Sequence, residues 1–357
     1  MKSKSIFYLF CLFAWFLALL TCLEFYGRLV HRKGIEISAR YSTNKELRFV
    51  TEAFHHTLWD IPWITYKPNT SIEFTTENQH YQCKINKFGF RGSTALESKQ
   101  SSDGPLVIAC IGGSTTVEGI TDDQTYPSLL EKQLRDTGHL VCVLNGGIAG
   151  LDSLGYQNRI QTIQSSHNPK LLVEYNAVND ICWRLFPYWI KDFTRLKVWA
   201  IQSVFFKQFL GDMLVPQEEK IRLDVREFII NNLNNLATEC KDANVTLFVC
   251  SFAYPQVTTD HHEEYAYYDY NLRHWWSSLY ISYTQYCRIV DIYNEELRAN
   301  FLNTSVKYIP VQEIGEFEPD DFLDICHMKP SGTQKKAKVI AEYISKSFKL
   351  PKVPNIN

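Results

Sequence analysis

Ser114 stands where a nucleophile could stand, directly after the apolar run "PLVIACIGG" at residues 105–113. A serine hydroxyl attacks a carbonyl group efficiently only when a base takes its proton and a third group orients that base. Asp324 and His327 lie three residues apart in "DICHMKPSG". This spacing lets the carboxylate hold Nδ1 of the imidazole and leaves Nε2 to face a serine. The three residue types suit nucleophilic catalysis, although Gly-Gly-Ser alone is equally typical of a tight turn.

Two further stretches could hold the negative charge that such an attack creates. The segment "NGGIAG" at 145–150 is a glycine-rich turn that ends in Gly150, and its backbone amides could point at a ligand. The segment "YNAVND" at 175–180 places Asn179 and Asp180 after another apolar run. Backbone N–H groups and asparagine side chains are common donors to an oxyanion. Each stretch is a weak signal by itself, because Asn, Asp and Gly all favour turns.

Alternating strands and helices are predicted to position these residues. From residue 105 onward, short apolar runs typical of strands buried on both faces alternate with helical patterns. The runs are 105–113, 140–147, 170–177, 245–253 and 288–294. The helical patterns begin near Tyr126, Val225 and Ala337. This alternation predicts an α/β fold with a doubly wound, mainly parallel, five-stranded sheet in flavodoxin-like order. Such sheets place active sites at the carboxyl ends of their strands, where all four stretches are expected.

In this order, the four stretches resemble the signature blocks of the SGNH/GDSL hydrolase superfamily. The four blocks, in order, are matched by "GGSTT", "NGGIAG", "NAVND" and "DICH". The resemblance spans roughly residues 80–346. It implies that Ser114 is the nucleophile and that Asp324 and His327 complete a catalytic triad. It also implies an oxyanion hole made of the N–H groups of Ser114 and Gly150 and the side chain of Asn179.

The resemblance implies a serine esterase or deacetylase that acts on an acylated glycan or lipid through an acyl-enzyme. An O-acyltransferase with the same triad is the alternative, because only the group that accepts the acyl chain separates the two. No metal ion and no organic cofactor are expected, since the "DHHEEY" cluster at 260–265 has no second group of ligands at a suitable spacing. The formal net charge of -2, without a basic block, gives no reason to expect nucleic acid.

The resemblance is incomplete at three positions. Gly113 stands where many members have aspartate, and Ala177 and Val178 replace glycines often found before the Asn-Asp pair. These departures leave open a non-catalytic scaffold that keeps the fold. Cys326 is a second candidate nucleophile beside His327. Adjacent residues of an extended stretch point to opposite sides, which favours a packing role for this cysteine.

An apolar segment precedes the predicted domain. Residues 6–23, "IFYLFCLFAWFLALLTCL", carry no charge and are long enough to cross a membrane. No Ala-x-Ala site follows, which favours an uncleaved N-terminal anchor over a signal peptide, and lipidation of Cys22 is a further alternative. Basic residues flank both ends, so the charges do not fix the orientation. "INKFGFRG" is similar to what precedes the domain in membrane-anchored bacterial members. That similarity implies a catalytic domain outside the cytoplasm.

The chain is expected to divide into the anchor and its flank (1–33), an extension and linker with a few short strands (34–104), and the catalytic domain (105–350). Residues 183–215 form an aromatic insertion in that domain. Five apolar residues of the insertion recur at helical spacing: Val198, Ile201, Phe205, Phe209 and Met213. They predict a helix that either packs on the core or serves as a lid or a membrane-interfacial helix. Most of the ten cysteines are predicted to be core thiols.

Overall fold

A computed structural model describes residues 2–41, 59–61, 65–75, 80–92, 104–275 and 280–353, so most of the predicted linker, 93–103, lies outside the described residues. The strands are β1 (Trp59–Ile61), β2 (Thr65–Tyr66), β3 (Thr70–Thr75), β4 (His80–Ile85), β5 (Leu106–Gly112), β6 (Val141–Asn145), β7 (Leu171–Tyr175), β8 (Thr246–Cys250) and β9 (Lys307–Ile309). The helices are α1 (Lys2–Tyr41), α2 (Ser114–Val117), α3 (Tyr126–Asp136), α4 (Tyr156–His167), α5 (Val178–Asp180), α6 (Phe186–Lys191), α7 (Arg195–Ala200), α8 (Val204–Phe209), α9 (Glu218–Val225), α10 (Asn231–Asp242), α11 (His262–Trp275), α12 (Tyr283–Phe301), α13 (Val311–Ile314) and α14 (Pro330–Ser347).

The chain folds as two compact units, each assembled from three segments. The larger unit takes its described residues from Asn44–Leu185, Glu218–Gln256 and Cys287–Asn357. The smaller unit takes them from Met1–Thr43, Phe186–Gln217 and Val257–Tyr286. The domains predicted from the sequence are consecutive segments of the chain, whereas each compact unit combines separate segments. The predicted boundaries therefore stay a prediction.

The larger unit is built on a five-stranded parallel sheet in the order β6-β5-β7-β8-β9. The predicted doubly wound sheet in flavodoxin-like order is therefore confirmed. Every residue of β6 and β7 is buried, and β5 is buried from Val107 onward. Such burial is expected for apolar strands covered on both faces. Gly112 pairs with Tyr175 at the carboxyl ends of β5 and the central strand β7, beside the candidate site.

The prediction of the fifth strand at 288–294 is wrong, because these residues lie inside α12. The fifth strand is β9, which pairs with β8. Ile289, Tyr293 and Leu297 are all fully buried and recur every four residues, so they form one face of a helix. A short apolar run fits a buried strand and a buried helix equally well. The run is the middle of a longer helix, Tyr283–Phe301.

The three predicted helices are confirmed. α3 begins after Thr125, whose side chain accepts a hydrogen bond from the backbone N–H of Ser128 and so caps the helix. The second pattern forms α9 and α10, which a π-helical turn joins. α14 begins with a proline, which suits a first helical turn, and buries Ile340 and Ile344 along one face.

The extension ahead of β5 includes an antiparallel hairpin of β3 and β4 and is held by a buried arginine. Arg91 is 7% exposed, and its backbone forms isolated antiparallel β-bridges with Ile85 in β4 and Asn145 in β6. Its guanidinium group donates to the carbonyl oxygens of Val117 at 2.6 Å and Gly119 at 2.9 Å. These bonds satisfy the last carbonyl group of α2 and one in the loop that follows it. The extension therefore supports the loop that follows β5.

The smaller unit contains α1, α6, α7, α8 and α11. The single helix predicted within 183–215 is wrong, since this segment forms three short helices and a 3-10 turn at Gly211–Leu214. Thr194 and Ser203 each cap the helix that follows by accepting a hydrogen bond from its backbone. Side chains that compete for backbone hydrogen bonds in this way interrupt a continuous helix.

The packing of the sheet generates a stability prediction. Ile108 in β5 is fully buried, and we expect Ile108→Ala to lower the free energy of unfolding by about 2–5 kcal/mol, because it removes apolar contacts and leaves a cavity. Ile314 is 52% exposed, so the matched variant Ile314→Ala should change it by less than about 0.5 kcal/mol. Guanidinium unfolding of the full chain in detergent measures both. Equal losses in the two variants would contradict the described core.

Candidate active site

A sharp turn at the end of β5 presents Ser114. Gly112 has φ of 152°, and a Cβ atom there would overlap the Tyr175 carbonyl oxygen of the neighbouring strand. A Cβ atom at Gly113 would overlap the side-chain amide nitrogen of Asn179. Gly112 is therefore required by both its φ and the neighbouring backbone, whereas a side chain at Gly113 would have to displace the Asn179 amide.

Ser114, His327 and Asp324 form one hydrogen-bonded chain. Ser114 Oγ lies 2.8 Å from His327 Nε2, and His327 Nδ1 lies 2.8 Å from Asp324 Oδ2. The side chain of His327 is 22% exposed and that of Asp324 is 10% exposed. The carboxylate is thus shielded from water, while one side of the imidazole stays open. This order of groups allows His327 to take a proton from Ser114 while Asp324 fixes the tautomer of the ring.

The carboxylate of Asp324 also shapes the loop that carries the histidine. Its Oδ1 accepts hydrogen bonds from the backbone N–H groups of Cys326 at 2.9 Å and His327 at 2.8 Å. The N–H of Leu323 donates to the His327 carbonyl oxygen at 2.8 Å. Charge-assisted bonds of this kind are stronger than bonds between neutral groups. One side chain therefore bends the loop and orients the imidazole.

Cys326 lies on the same side as the histidine, so the expectation that these neighbours point apart is wrong. Its Sγ is 3.5 Å from both His327 Nδ1 and Asp324 Oδ1, because the loop is bent rather than extended. Cys326 is 1% exposed, and this burial raises the pKa of its thiol well above the ordinary value. Since the thiolate is the nucleophilic form of cysteine, this thiol suits packing better than attack.

The same three side chains could in principle hold a metal ion. Among the described residues, Asp324, Cys326 and His327 form the one group whose ligand atoms lie within 4.8 Å of one another. His327 Nδ1 and Asp324 Oδ2 already bond to each other. Zinc requires a deprotonated thiol, and burial favours the protonated form of Cys326. The donor set therefore fits the hydrogen-bonded chain better than a metal centre.

The predicted oxyanion donors are Asn179, Gly150 and Ser114. Asn179 is 2% exposed and donates one amide hydrogen to the Leu151 carbonyl oxygen at 2.8 Å, which leaves its second amide hydrogen for another acceptor. Gly150 has φ of 77°, and its N–H makes no hydrogen bond to another described residue. Ser114 is the first residue of α2, so its N–H has no acceptor within the helix. Amide N–H groups of these kinds are typical donors to an oxyanion.

Asp180 supports the loops that carry Asn179 and Gly150. Its carboxylate accepts from the N–H of Ser153 at 3.0 Å, from Ser153 Oγ at 2.5 Å and from Asn176 Nδ2 at 3.2 Å. Asp180 is 1% exposed, and burial raises the pKa of this carboxyl group to about 7. The two loops are therefore joined through a buried acid.

A buried ion pair that the sequence analysis missed joins the serine turn to the histidine loop. Lys336 of α14 is fully buried and donates from Nζ to Glu118 Oε1 at 2.7 Å and to the Thr115 carbonyl oxygen at 2.8 Å. Glu118 Oε2 accepts from the N–H of Met328 at 3.0 Å. The Lys336 ammonium also lies 4.4 Å from the ring centroid of Tyr175, a cation–π contact. This lysine therefore positions both loops of the site.

The sequence contains one signal for this pair. Lys336 precedes Ile340 and Ile344 at intervals of four residues, so it lies on the apolar face of α14. A lysine on the buried face of a helix is rare unless it is paired. Nothing in the spacing identifies Glu118 as its partner, because the two residues are 218 positions apart.

The ion pair generates a second prediction. Lys336→Met leaves Glu118 buried without its cation, so we expect the free energy of unfolding to fall by about 3–5 kcal/mol. Adding Glu118→Gln should recover part of that loss, because the uncompensated charge is removed. Lys338, an exposed lysine of the same helix, gives the control variant Lys338→Met. Urea unfolding of the four proteins measures the differences. If Lys336→Met is as stable as Lys338→Met, the ion pair does not stabilise the fold.

The raised pKa of Asp180 generates a third prediction. The folded chain keeps this proton up to about pH 7, whereas the unfolded chain releases it near the ordinary value of 3.8. The folded state then binds more protons, so this carboxyl group makes the free energy of unfolding decrease as pH rises from about 4 to about 7. Asp180→Asn should make that pH dependence shallower in urea unfolding, and exposed Asp136→Asn is the matched control. Parallel curves for wild type and Asp180→Asn would contradict the assignment.

Comparisons with known proteins give fold neighbours only. No family model matches the chain. No curated protein matches it. Matching solved structures include a protein from Parabacteroides merdae described as a GDSL-like lipase, 15% identical with a TM-score of 0.45, over 70% of this chain and 99% of that chain. A lipase/acylhydrolase from Enterococcus faecalis is 14% identical with a TM-score of 0.39, over 70% of this chain and all of that chain.

A third matching structure is a catalytic mutant of an acetylxylan esterase from Geobacillus stearothermophilus. It is 15% identical with a TM-score of 0.38, over 71% of this chain and all of that chain.

Proposed function

We propose that this protein is a serine esterase that hydrolyses ester bonds through an acyl-enzyme. The observation that carries the proposal is the chain of two 2.8 Å hydrogen bonds from Ser114 through His327 to Asp324. The proposed base, His327, is thus hydrogen-bonded to the nucleophile on one side and to the carboxylate that orients it on the other. Such an arrangement supports acyl transfer.

In the first half of the reaction, Ser114 Oγ bonds to the ester carbonyl carbon while His327 Nε2 takes the hydroxyl proton. Asp324 stays ionised and stabilises the imidazolium through Nδ1–H. The tetrahedral intermediate then breaks its bond to the alcohol oxygen, and His327 returns the proton to that oxygen. The alcohol leaves, and Ser114 carries the acyl group.

The oxyanion that forms in this step is held by the N–H groups of Ser114 and Gly150 and the free amide hydrogen of Asn179. A single donor of this kind is typically worth about 10²–10³ in kcat. Asp180 and Ser153 fix the loops beneath these donors, so the donors need little rearrangement during the reaction.

In the second half, water attacks the acyl carbon while His327 takes a proton from the water. Breakdown of the second intermediate gives the carboxylic acid, and the proton on His327 returns to Ser114 Oγ. A sugar hydroxyl in place of water would make the same machinery an O-acyltransferase. The resemblance of the sequence supports an acylated glycan or lipid as the substrate.

We also propose that α1 anchors the protein in a membrane with the catalytic residues outside the cytoplasm. Residues Ile6–Ala39 are long and apolar enough to cross a bilayer, with a mean hydropathy of 2.5 in the most apolar window, none of which is buried. A signal sequence would share this composition. Retention of the helix is supported by its contacts, because Glu24 and Gly27 of the same continuous helix pack against α8.

The proposed chemistry generates a fourth prediction. The full chain in detergent should hydrolyse a short-chain aryl ester and react with a fluorophosphonate probe, and Ser114→Ala should abolish both, because the nucleophile is lost. The matched control is Ser165→Ala, an exposed serine on α4. It should keep both activities.

Three results distinguish the alternatives. Hydrolysis that survives Ser114→Ala would contradict the proposal. A folded wild type that neither hydrolyses the ester nor takes the label would favour the non-catalytic scaffold. Transfer of the acyl group to an added sugar, in preference to water, would identify the O-acyltransferase.

A further inference from the structure

The smaller unit packs on α1 directly beyond its apolar run. Glu24, the first charged residue after residues 6–23, accepts a hydrogen bond from Ser203 Oγ at 2.7 Å and weaker bonds from the N–H groups of Val204 and Phe205, both at 3.3 Å. One turn later, Gly27 lies against the backbone of Phe205, where any larger residue would overlap. The helix α8 therefore lies at the level of residues 24–27 of α1.

A second helix of the unit packs farther along α1. The ring of His31 lies 5.5 Å from that of Tyr270 in α11, and Gly34 faces the same tyrosine. At 1.5 Å per residue, His31 is about 12 Å beyond the end of the apolar run. The contacts along α1 thus order the unit by depth, with α8 next to the apolar run and α11 farther from it.

Apolar side chains are exposed on both sides of α8 along the chain. α7, which directly precedes α8, buries none of its residues, and its Leu196 and Trp199 are 73% and 59% exposed. The exposed apolar residues continue from the end of α8 into the following 3-10 turn with Phe209, Leu210 and Met213. We call these five residues the interfacial surface. An apolar patch of this kind on a protein surface marks a site of interaction.

Two features of the interfacial surface favour lipid over a protein partner. The exposed basic residues Arg195 and Lys197 flank Leu196 on α7, as on helices that lie on anionic membranes. Tyr26 of α1 stacks on Phe209 at 5.6 Å, which makes the surface continuous with the exposed apolar side chains of α1. Tryptophan and tyrosine are enriched at the headgroup level of membranes, where one end of the ring is dry and the other is wet.

We propose that the interfacial surface is inserted into the headgroup region of the bilayer that α1 crosses, so that the smaller unit rests on the membrane by two contacts. Glu24 lies at the boundary with its charge satisfied by hydrogen bonds from the α8 end. Arg195 and Lys197 face the lipid phosphates, and Trp199 reaches the start of the acyl chains. The inference rests on the proposed membrane anchor and is independent of ester hydrolysis.

The test uses tryptophan fluorescence of the full chain in nanodiscs of phosphatidylcholine and phosphatidylglycerol. Lipids brominated near the headgroup end or near the methyl end of the acyl chain quench tryptophans that they touch. The difference between wild type and Trp199→Phe isolates Trp199, and Trp15→Phe isolates a residue of the apolar run. Trp189, which is 4% exposed in the same unit, provides the matched control Trp189→Phe.

We expect lipids brominated near the headgroup end to quench the emission of Trp199. Lipids brominated near the methyl end should leave most of that emission unchanged. The emission of Trp189 should be unchanged with either brominated lipid. Quenching of Trp15 without quenching of Trp199 would overturn the interfacial surface while leaving the anchor in place. Quenching of neither would overturn both. Aryl-ester hydrolysis by the same nanodiscs is measured in parallel, so a failure of lipid contact is distinguished from a failure of the proposed chemistry.

Discussion

The close approach of β5 and β7 at their carboxyl ends is the constraint on which the candidate site depends. With no side chain at Gly112, the backbone turns directly against the Tyr175 carbonyl oxygen, and that same oxygen accepts a hydrogen bond from Thr116 Oγ1 at 3.1 Å. The turn brings Gly113 against Asn179, so the serine and the amide side chain are placed by one contact. A Cβ atom at Gly112 would force the strands apart, and one at Gly113 would displace the Asn179 amide.

Buried charges fix the loops around this turn, and each of them has a partner. Arg91 pairs with Asp122 at 2.9 Å, and Lys336 pairs with Glu118. Asp324 lies between backbone N–H groups and an imidazole. Burying a charge costs free energy unless it is paired. Loop arrangements that separate these partners are therefore disfavoured. The site is thus specified by electrostatics, while the sheet beneath it is specified by apolar packing.

The sequence predicts the parts of this molecule that depend on local pattern. Alternating apolar runs predict the sheet and its order, and the serine turn, the asparagine turn and the Asp-x-x-His spacing predict which residues meet at its edge. The strand predicted at 288–294 fails because a short apolar run has no period that separates strand from helix. The bend at Cys326 follows from hydrogen bonds to Asp324, and side-chain alternation takes no account of them.

The pairing of Glu118 with Lys336 was not predictable for a different reason. It joins residues far apart in the chain, and no periodicity connects two single positions across such a distance. The interruptions between the short helices of 183–215 were predictable only in part. Thr194 and Ser203 are helix-capping residue types, but the apolar spacing that runs across them has the period of one helix.

The distance along the chain between the serine and its base has a consequence for biosynthesis. Ser114 and His327 are 213 residues apart, and Lys336 must dock on Glu118 before the two loops are tied together. A chain is made from its amino terminus, and its segments fold in that order. The apolar run of α1 is therefore available to a membrane long before Lys336 leaves the ribosome. For the proposed membrane-anchored esterase, a nascent chain held by that helix has no assembled triad, so ester cleavage would begin only after delivery to the membrane.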